Sequence, residues 1–160
     1  MVEKPVLIVD TREKLPWDFE SDDAFADVIY RKLDVGDYSI EGMEEIISIE
    51  RKASVDELYM NFTKNKARIL AEFERFRPMR FKILVVEESC EDVMNPNKYY
   101  VNIKKINKRN PKMPVAVVSS GLTKLMLEYD VQIVYGGMRA QAMAKGILLH
   151  AYDLHRKGKL

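Results

Sequence analysis

Three charged residues in a row, Glu50-Arg51-Lys52, close the stretch Ile46-Ile47-Ser48-Ile49, whose β-branched apolar residues mark a buried strand running out into charge. Side chains alternate along a strand, so Glu50 and Lys52 project from one face while Ile49 and Arg51 project from the other. A carboxylate and an ammonium are thereby neighbours. Upstream, Asp37-Tyr38-Ser39-Ile40 suits an antiparallel partner strand joined through Glu41-Gly42-Met43, which carries Asp37 towards Glu50. Two acids held close repel each other unless a cation lies between them, and hard oxygen ligands of this kind suit Mg²⁺ or Mn²⁺. An ion bound there beside a phosphodiester would lower the pKa of a bound water and offset transition-state charge, with Lys52 orienting or deprotonating the attacking water. The alternative is a solvated hairpin edge with an ordinary Glu/Lys pair, worth ~0–1 kcal/mol.

The flanking elements must hold that group in place. Val6-Leu7-Ile8-Val9 is an apolar run suited to a central strand, and Asp10 emerges at its C-terminal end, where α/β sheets commonly place ligands. Asp10 is either a second-line acid of the site or the cap of the following turn. Lys14 to Asp23 reads as loop, with Trp17 and Phe19 folding back on the core, and Phe25 to Leu33 contains a further strand. Ser54-Val55-Asp56-Glu57 has the form of a capping box, so a helix starts at Ser54 and runs to about Phe62. Asp56 then lies in the first turn, where a carboxylate gains from the helix dipole whatever its chemistry.

Thr63 to Arg77 is predicted as a helix that buries Ala67, Leu70, Ala71, Phe73 and Phe76 and presents Lys64, Lys66, Arg68 and Arg75. Phe81 to Val86 is a second buried strand, ending in Glu87-Glu88. Cys90 falls in a loop with no histidine near it in sequence and reads as an inert thiol. Between Asn95 and Lys112 the chain is loop-like and carries Lys98, Lys104, Lys105, Lys108, Arg109 and Lys112 interleaved with Tyr99 and Tyr100. Such a segment grips phosphates and stacks on an unpaired base, or else forms a solvated lid. Pro114 suits the start of a helix through Val117, Leu122, Leu125 and Met126, with a short strand over Val115 to Val118 as the alternative. A strand over Val131 to Tyr135 follows, closed by Gly136-Gly137. The final helix, Met138 to Arg156, has its apolar stripe at Ala142, Met143, Ile147, Leu148, Ala151 and Leu154. His150 and His155 lack the i, i+4 spacing of helix-borne metal ligands.

A chain of 160 residues with 47% hydrophobic content supports one domain with a sizeable core. A single cysteine excludes an internal disulfide framework, and no stretch has the apolar length of a signal peptide or membrane span, so an intracellular, soluble protein is expected. The net charge of +1 hides a segregation: fifteen of the 25 acids lie between Asp10 and Glu57, whereas Val93 to Leu127 has no acid and seven lysines or arginines. A phosphate backbone responds to local basic patches rather than to the total, so a nucleic-acid partner is compatible with that near-neutral sum.

V-D-T-R-E at positions 9 to 13, G-D-Y at 36 to 38 and E-R-K-x-x-x-D from Glu50 to Asp56 occur in that order. Together they resemble the nuclease domain of the XPF-type structure-specific endonucleases, a branch of the PD-(D/E)XK superfamily whose signature is G-D-x(n)-E-R-K-x-x-x-D. The resemblance implies an α/β domain with a restriction-endonuclease-like mixed central sheet flanked by helices, spanning residues 1–160 without room for a helix-hairpin-helix or helicase module. It implies that Asp37 and Glu50 are metal ligands, that Lys52 is the catalytic lysine and that Asp10, Arg51 and Asp56 support them, Asp10 also through water or a second ion. Arg12 and Glu13 line the site by the same likeness, and Arg68 falls where the family has the arginine of its G-R-hydrophobic segment, although Ala67 replaces the usual glycine and Glu72 a frequent glutamine. With Lys64, Lys66, Lys104, Lys105, Lys108 and Arg109, Arg12 and Arg68 make up the expected DNA contacts. The expected activity is Mg²⁺- or Mn²⁺-dependent hydrolysis of branched DNA, with a homodimer built through the C-terminal helices. A non-catalytic DNA-binding or dimerisation subunit and a nuclease for ordinary duplex DNA are the alternatives.

Overall fold

Strand β4 (Ile47–Lys52) lies in the interior of the sheet and carries the charged triplet at its C-terminal end. On one side it pairs antiparallel with β3 (Tyr38–Ile40), with Tyr38 opposite Ile49, and on the other it runs parallel to β5 (Phe81–Val86). Strand β1 (Val6–Val9) lies beyond β3, antiparallel to it, and β2 (Asp27–Tyr30) and β6 (Gln132–Tyr135) form the two edges, each parallel to its neighbour. The order β2-β1-β3-β4-β5-β6 is a mixed sheet, as expected. These facts come from a computed structural model that describes residues 3–95 and 115–160. The basic segment with Lys104, Lys105, Lys108 and Arg109 lies outside the described residues.

Five described helices flank the sheet: α1 (Val55–Phe62), α2 (Lys66–Phe76), α3 (Cys90–Met94), α4 (Val115–Tyr129) and α5 (Ala140–Arg156). The alternation of β5 sorts them into two layers. Leu84 and Val86 pack with buried residues of α1 to α4, whereas Ile83 and Val85 pack with Ala140, Ala144, Leu148 and Ala151 of α5. Ile47 and Ile49 of β4 belong to the α5 side, so Ser48, Glu50 and Lys52 face the layer of α1 and α2. The loop between β1 and β2 holds no helix; it covers the α5 side of the sheet with Trp17 stacked and Phe19 edge-to-face on Tyr38, and Phe25 edge-to-face on Phe19.

The sheet turns sharply just before Asp37. Gly36 has φ +74, and a Cβ there would fall on Ser48 Oγ and within 3.0 Å of the Ile49 carbonyl oxygen. Only glycine lets the chain pass so close to β4 in this left-handed conformation. Asp37 N–H then donates to Ile49 O at 2.8 Å, and Asp10 N–H donates to Asp37 O at 2.8 Å, so the ends of β1, β3 and β4 are fastened together.

Several sequence expectations are corrected in detail. The inner face of α2 is Ile69, Phe73 and Phe76, with Ala67 and Ala71 exposed, because the branched and aromatic side chains outweigh alanine in setting the helix rotation. In α5 the buried stripe is Ala140, Ala144, Leu148 and Ala151; Ala142 and Met143 are exposed. There the small residues face inward because they let the helix lie close on the sheet. The helix expected after Pro114 is present and includes residues 115 to 118, so the strand alternative falls, but Met126, expected on its apolar face, is exposed where Val118, Leu122 and Leu125 are buried. Cys90 opens the short helix α3, capped by Ser89, rather than lying in a loop. No described helix is long and apolar enough to cross a membrane.

Candidate active site

Alternation along β4 has the expected result. Glu50 and Lys52 share a face, are 4% and 6% exposed, and form a direct ion pair through Glu50 Oε1. That burial removes the solvated-edge reading. Asp37 reaches the same volume from the start of β3: its Oδ2 accepts the Arg51 backbone N–H at 2.7 Å, which fixes the carboxyl against the Glu50-Arg51 peptide.

Electrostatics show how tightly these groups are confined. Burial pushes the Asp37 carboxyl up to about 6, against the opposing pull of the Arg51 amide and the Lys52 charge. Burial likewise pushes Glu50 up to about 8; Lys52 pulls it down, while the Asp37 and Glu72 carboxylates push it further up. Burial alone would lower Lys52, but Glu50, Glu57 and Asp37 overcome it and hold the ammonium above its ordinary value. With both acids ionised, the site would carry more negative charge than its one lysine neutralises.

Glu50 Oε2 is buried and has no hydrogen-bond partner. A buried, orphaned carboxylate oxygen that feels a second, half-buried acid is what a divalent cation would satisfy, so Asp37 and Glu50 fit Mg²⁺ or Mn²⁺. Among the described residues no three acidic, histidine or cysteine side chains gather into a cage. Two carboxylates would thus leave most coordination positions to water and phosphate oxygens, the usual habit of Mg²⁺.

Arg51, on the opposite face, acts as a tie. Its Nε donates to Glu87 Oε1 at 2.8 Å and Nη2 to Glu87 Oε2 at 3.1 Å, a forked pair with the carboxylate just past β5. Nη1 donates to the Leu15 carbonyl at 2.5 Å and lies 3.4 Å from Glu13 Oε1, and the guanidinium carbon sits 5.3 Å from the Trp17 ring centre. Trp17 Nε1 donates to Glu87 and the ring stacks on Tyr38 at 4.8 Å. One side chain thereby joins β4, β5 and the loop over the α5 side. Arg51→Ala is expected to destabilise the domain by about 2–4 kcal/mol and to expose the 13–19 loop to limited proteolysis. Arg51→Lys is expected to recover little, since an ammonium cannot make the fork. Unchanged denaturation midpoint and digestion would count against that role.

Asp10 lies at the end of β1, but both its oxygens are engaged. Oδ1 accepts from Arg12 N and Nε at 2.7 and 2.8 Å, and Oδ2 accepts from Arg12 Nη2 and Leu33 N at 2.8 and 2.7 Å. Burial would raise this carboxyl, but those donors hold it below the usual range. The turn-cap role is therefore the one its contacts display, and Arg12 is its clasp, with a half-exposed guanidinium. Asp56 sits exposed in the first turn of α1, whereas its neighbour Glu57 reaches Lys52 Nζ at 3.3 Å. Lys64, Lys66 and Arg68 are exposed at the α1–α2 junction, Arg68 one turn ahead of Glu72. Glu57, Glu72, Glu87 and Trp17 were not among the expected site residues. The S-x-x-E motif and the acid at the end of β5 were visible signals for two of them, but neither states a contact across the sheet.

The family model of the ERCC4 domain matches residues 9–141. Among solved structures, XPF from Aeropyrum pernix aligns over 97% of this chain and 69% of its own at 17% identity, with TM-score 0.62. The same archaeal protein in complex with DNA aligns over 97% of this chain and 65% of its own at 18% identity, with TM-score 0.54. The chain thus spans about two thirds of the length of each, and at such identity the likeness is one of fold. No curated protein matches the sequence.

Proposed function

The chain belongs to the ERCC4 domain family, with the fold of an XPF nuclease domain, and from that premise we propose that it is a Mg²⁺- or Mn²⁺-dependent endodeoxyribonuclease cutting branched DNA where duplex meets single strand. The observation that carries this reading is the buried Glu50–Lys52 pair with its partnerless Glu50 oxygen, and the half-buried Asp37 carboxyl held against the same strand end. A purely structural ion pair has no use for that oxygen; a cation site does.

Asp37 and Glu50 would hold the ion, which when bound polarises the scissile phosphate and supplies a more acidic water. Lys52 places a positive charge beside the reacting phosphate and orients the attacking water. Arg51 keeps β4 and β5 in register at the site by gripping Glu87. Asp10 and Arg12 fix the β1 end, and Asp56 adds negative charge to the first turn of α1. Exposed Lys64, Lys66 and Arg68 supply backbone contacts to DNA, joined by Lys104, Lys105, Lys108 and Arg109.

Labelled flap, fork, duplex and single-stranded DNA separate the readings. Cleavage of flap or fork in Mn²⁺, lost on adding EDTA and restored by excess Mn²⁺, is the expected outcome. Binding without cutting by the unsubstituted protein would instead make it a DNA-binding subunit, and equal cutting of plain duplex would remove the branch preference. Homodimerisation belongs to the same proposal: Met143, Ile147 and Leu154 of α5 with Ile47, Phe81 and Ile83 line an apolar groove of about 380 Å³. Sedimentation equilibrium is expected to show a dimer that Met143→Glu dissociates; a monomer at all concentrations would contradict it.

A further inference from the structure

Glu57 was placed by sequence as the closing residue of a capping box, and the structure gives it a second engagement. Its backbone N–H donates to Ser54 Oγ at 3.2 Å, and its Oε2 accepts the Ala53 N–H at 3.0 Å. The reciprocal bond thus goes one residue further back than a capping box requires, to the residue next to Lys52. Its other oxygen, Oε1, lies 3.3 Å from Lys52 Nζ. The Glu57 side chain is 42% exposed where the Glu50 side chain is 5%, so the lysine ammonium bridges a buried acid and a wet one.

This arrangement bears on a conflict within the site. Lys52 occupies Glu50 Oε1, the same carboxylate whose Oε2 lacks a partner. A divalent ion on Glu50 and an ammonium in direct contact with that carboxylate repel each other, and the ammonium must have another counter-charge if it is to stay nearby. From these contacts we propose that Glu57 is a positioning residue for Lys52, taking over its ammonium when a divalent cation engages Glu50 and so keeping the lysine beside the cation rather than in competition with it. The inference rests on the cation-site reading above and goes further, since it assigns the yielding of Glu50 to an acid outside the E-R-K-x-x-x-D motif. Asp56, which does fall in that motif, is the exposed neighbour and is not the acid found on the lysine.

Manganese titration of the whole chain tests this without DNA or turnover, followed by calorimetry or by the loss of free Mn²⁺ resonance signal. Six proteins are compared: unsubstituted, Glu57→Gln, Glu57→Asp, Glu57→Ala, Lys52→Met and the double variant Glu57→Gln, Lys52→Met, with thermal melting as the folding control. Glutamine still accepts the Ala53 N–H, so the cap is kept and only the charge is lost. If Glu57 acts through the lysine, Glu57→Gln weakens Mn²⁺ binding roughly fivefold in the Lys52 protein and has little effect in the Lys52→Met background, and Glu57→Asp restores part of the loss. Equal weakening in both backgrounds would mean that Glu57 acts as a general negative charge, which overturns the inference but leaves the cation site standing. No change on Glu57→Gln in either background, with a lowered melting point for Glu57→Ala, would reduce Glu57 to a helix cap. Absence of Mn²⁺ binding by the unsubstituted, folded protein would instead sink the cation-site reading, and the inference with it.

Discussion

Glu50→Gln is expected to abolish metal-dependent cleavage, by on the order of 10³-fold, while leaving the domain folded with a flatter dependence of stability on pH. The amide can still accept from Lys52, so the contact survives, but the oxygen that would hold the cation loses its charge. The pH consequence follows from burial. Glu50 moves up from 4.5 to about 8 in the folded protein and Asp37 from 3.8 to about 6. As pH rises, the unfolded chain gives up these protons first, so the unfolded state is progressively favoured between about pH 4 and pH 8 and the loss levels off above that. Acids held low in the fold, Asp10 and Asp22, act in the opposite direction but at the acid end, below this window. Denaturation midpoints at pH 5.5 and 8.5 should therefore fall for the unsubstituted protein and change much less for Glu50→Gln. Equal falls in both would show that Glu50 is not the group responsible, and retained cleavage would remove it from the site.

Lys52→Met is expected to be more damaging to the fold than Glu50→Gln, although the two residues form one ion pair. Removing the acid's charge leaves a lysine that can still reach Glu57 and water; removing the lysine leaves a nearly fully buried carboxylate without a counter-charge. Breaking a buried pair in that direction typically costs about 3–5 kcal/mol. The cost should be largest at alkaline pH and shrink towards pH 5.5, where Glu50 takes up a proton instead. The double variant Glu50→Gln, Lys52→Met should recover most of the loss, since it strands no charge. Cleavage by Lys52→Met should fall roughly 10²–10⁴-fold. Chemical denaturation across pH with the single and double variants checks the stability half, and a loss independent of pH or unrecovered in the double variant would contradict it.

The opposite weights of two partners in one ion pair depend on facts that local sequence could supply only in part. Strand alternation sufficed to place Glu50 and Lys52 together and Arg51 on the reverse face, because period-two geometry is rigid and β4 is flanked on both sides by strands. The hairpin from Gly36 was legible for a similar reason: G-D-Y ahead of an apolar run is a local signal. The capping box at Ser54 was local as well, and Glu57 N–H does meet Ser54 Oγ. What remained hidden was which acid each cation would choose. Arg51 selects Glu87 across β5 and the Leu15 carbonyl on a loop 36 residues away, contacts that exist only once the sheet order is fixed.

Helix rotation was the other weak point. In α2 the alanines at 67 and 71 share the apolar count with Ile69, but bury far less area, so the large residues decide which face turns inward. In α5 the reverse holds, and Ala140, Ala144 and Ala151 are inside because they are small. A period of 3.6 identifies such helices without stating whether bulk or closeness will set their phase. The two cases show why the strands that carry the site were read more accurately than the helices that cover it.

The central claim is that Asp37 and Glu50 together hold a divalent cation, and anomalous scattering from crystals soaked in Mn²⁺ tests it most directly. The account predicts a manganese peak bound by the Asp37 carboxylate and Glu50 Oε2, with Lys52 still alongside. Peaks confined to surface carboxylates, with the Glu50–Lys52 pair closed and Oε2 still without a partner at saturating Mn²⁺, would contradict it.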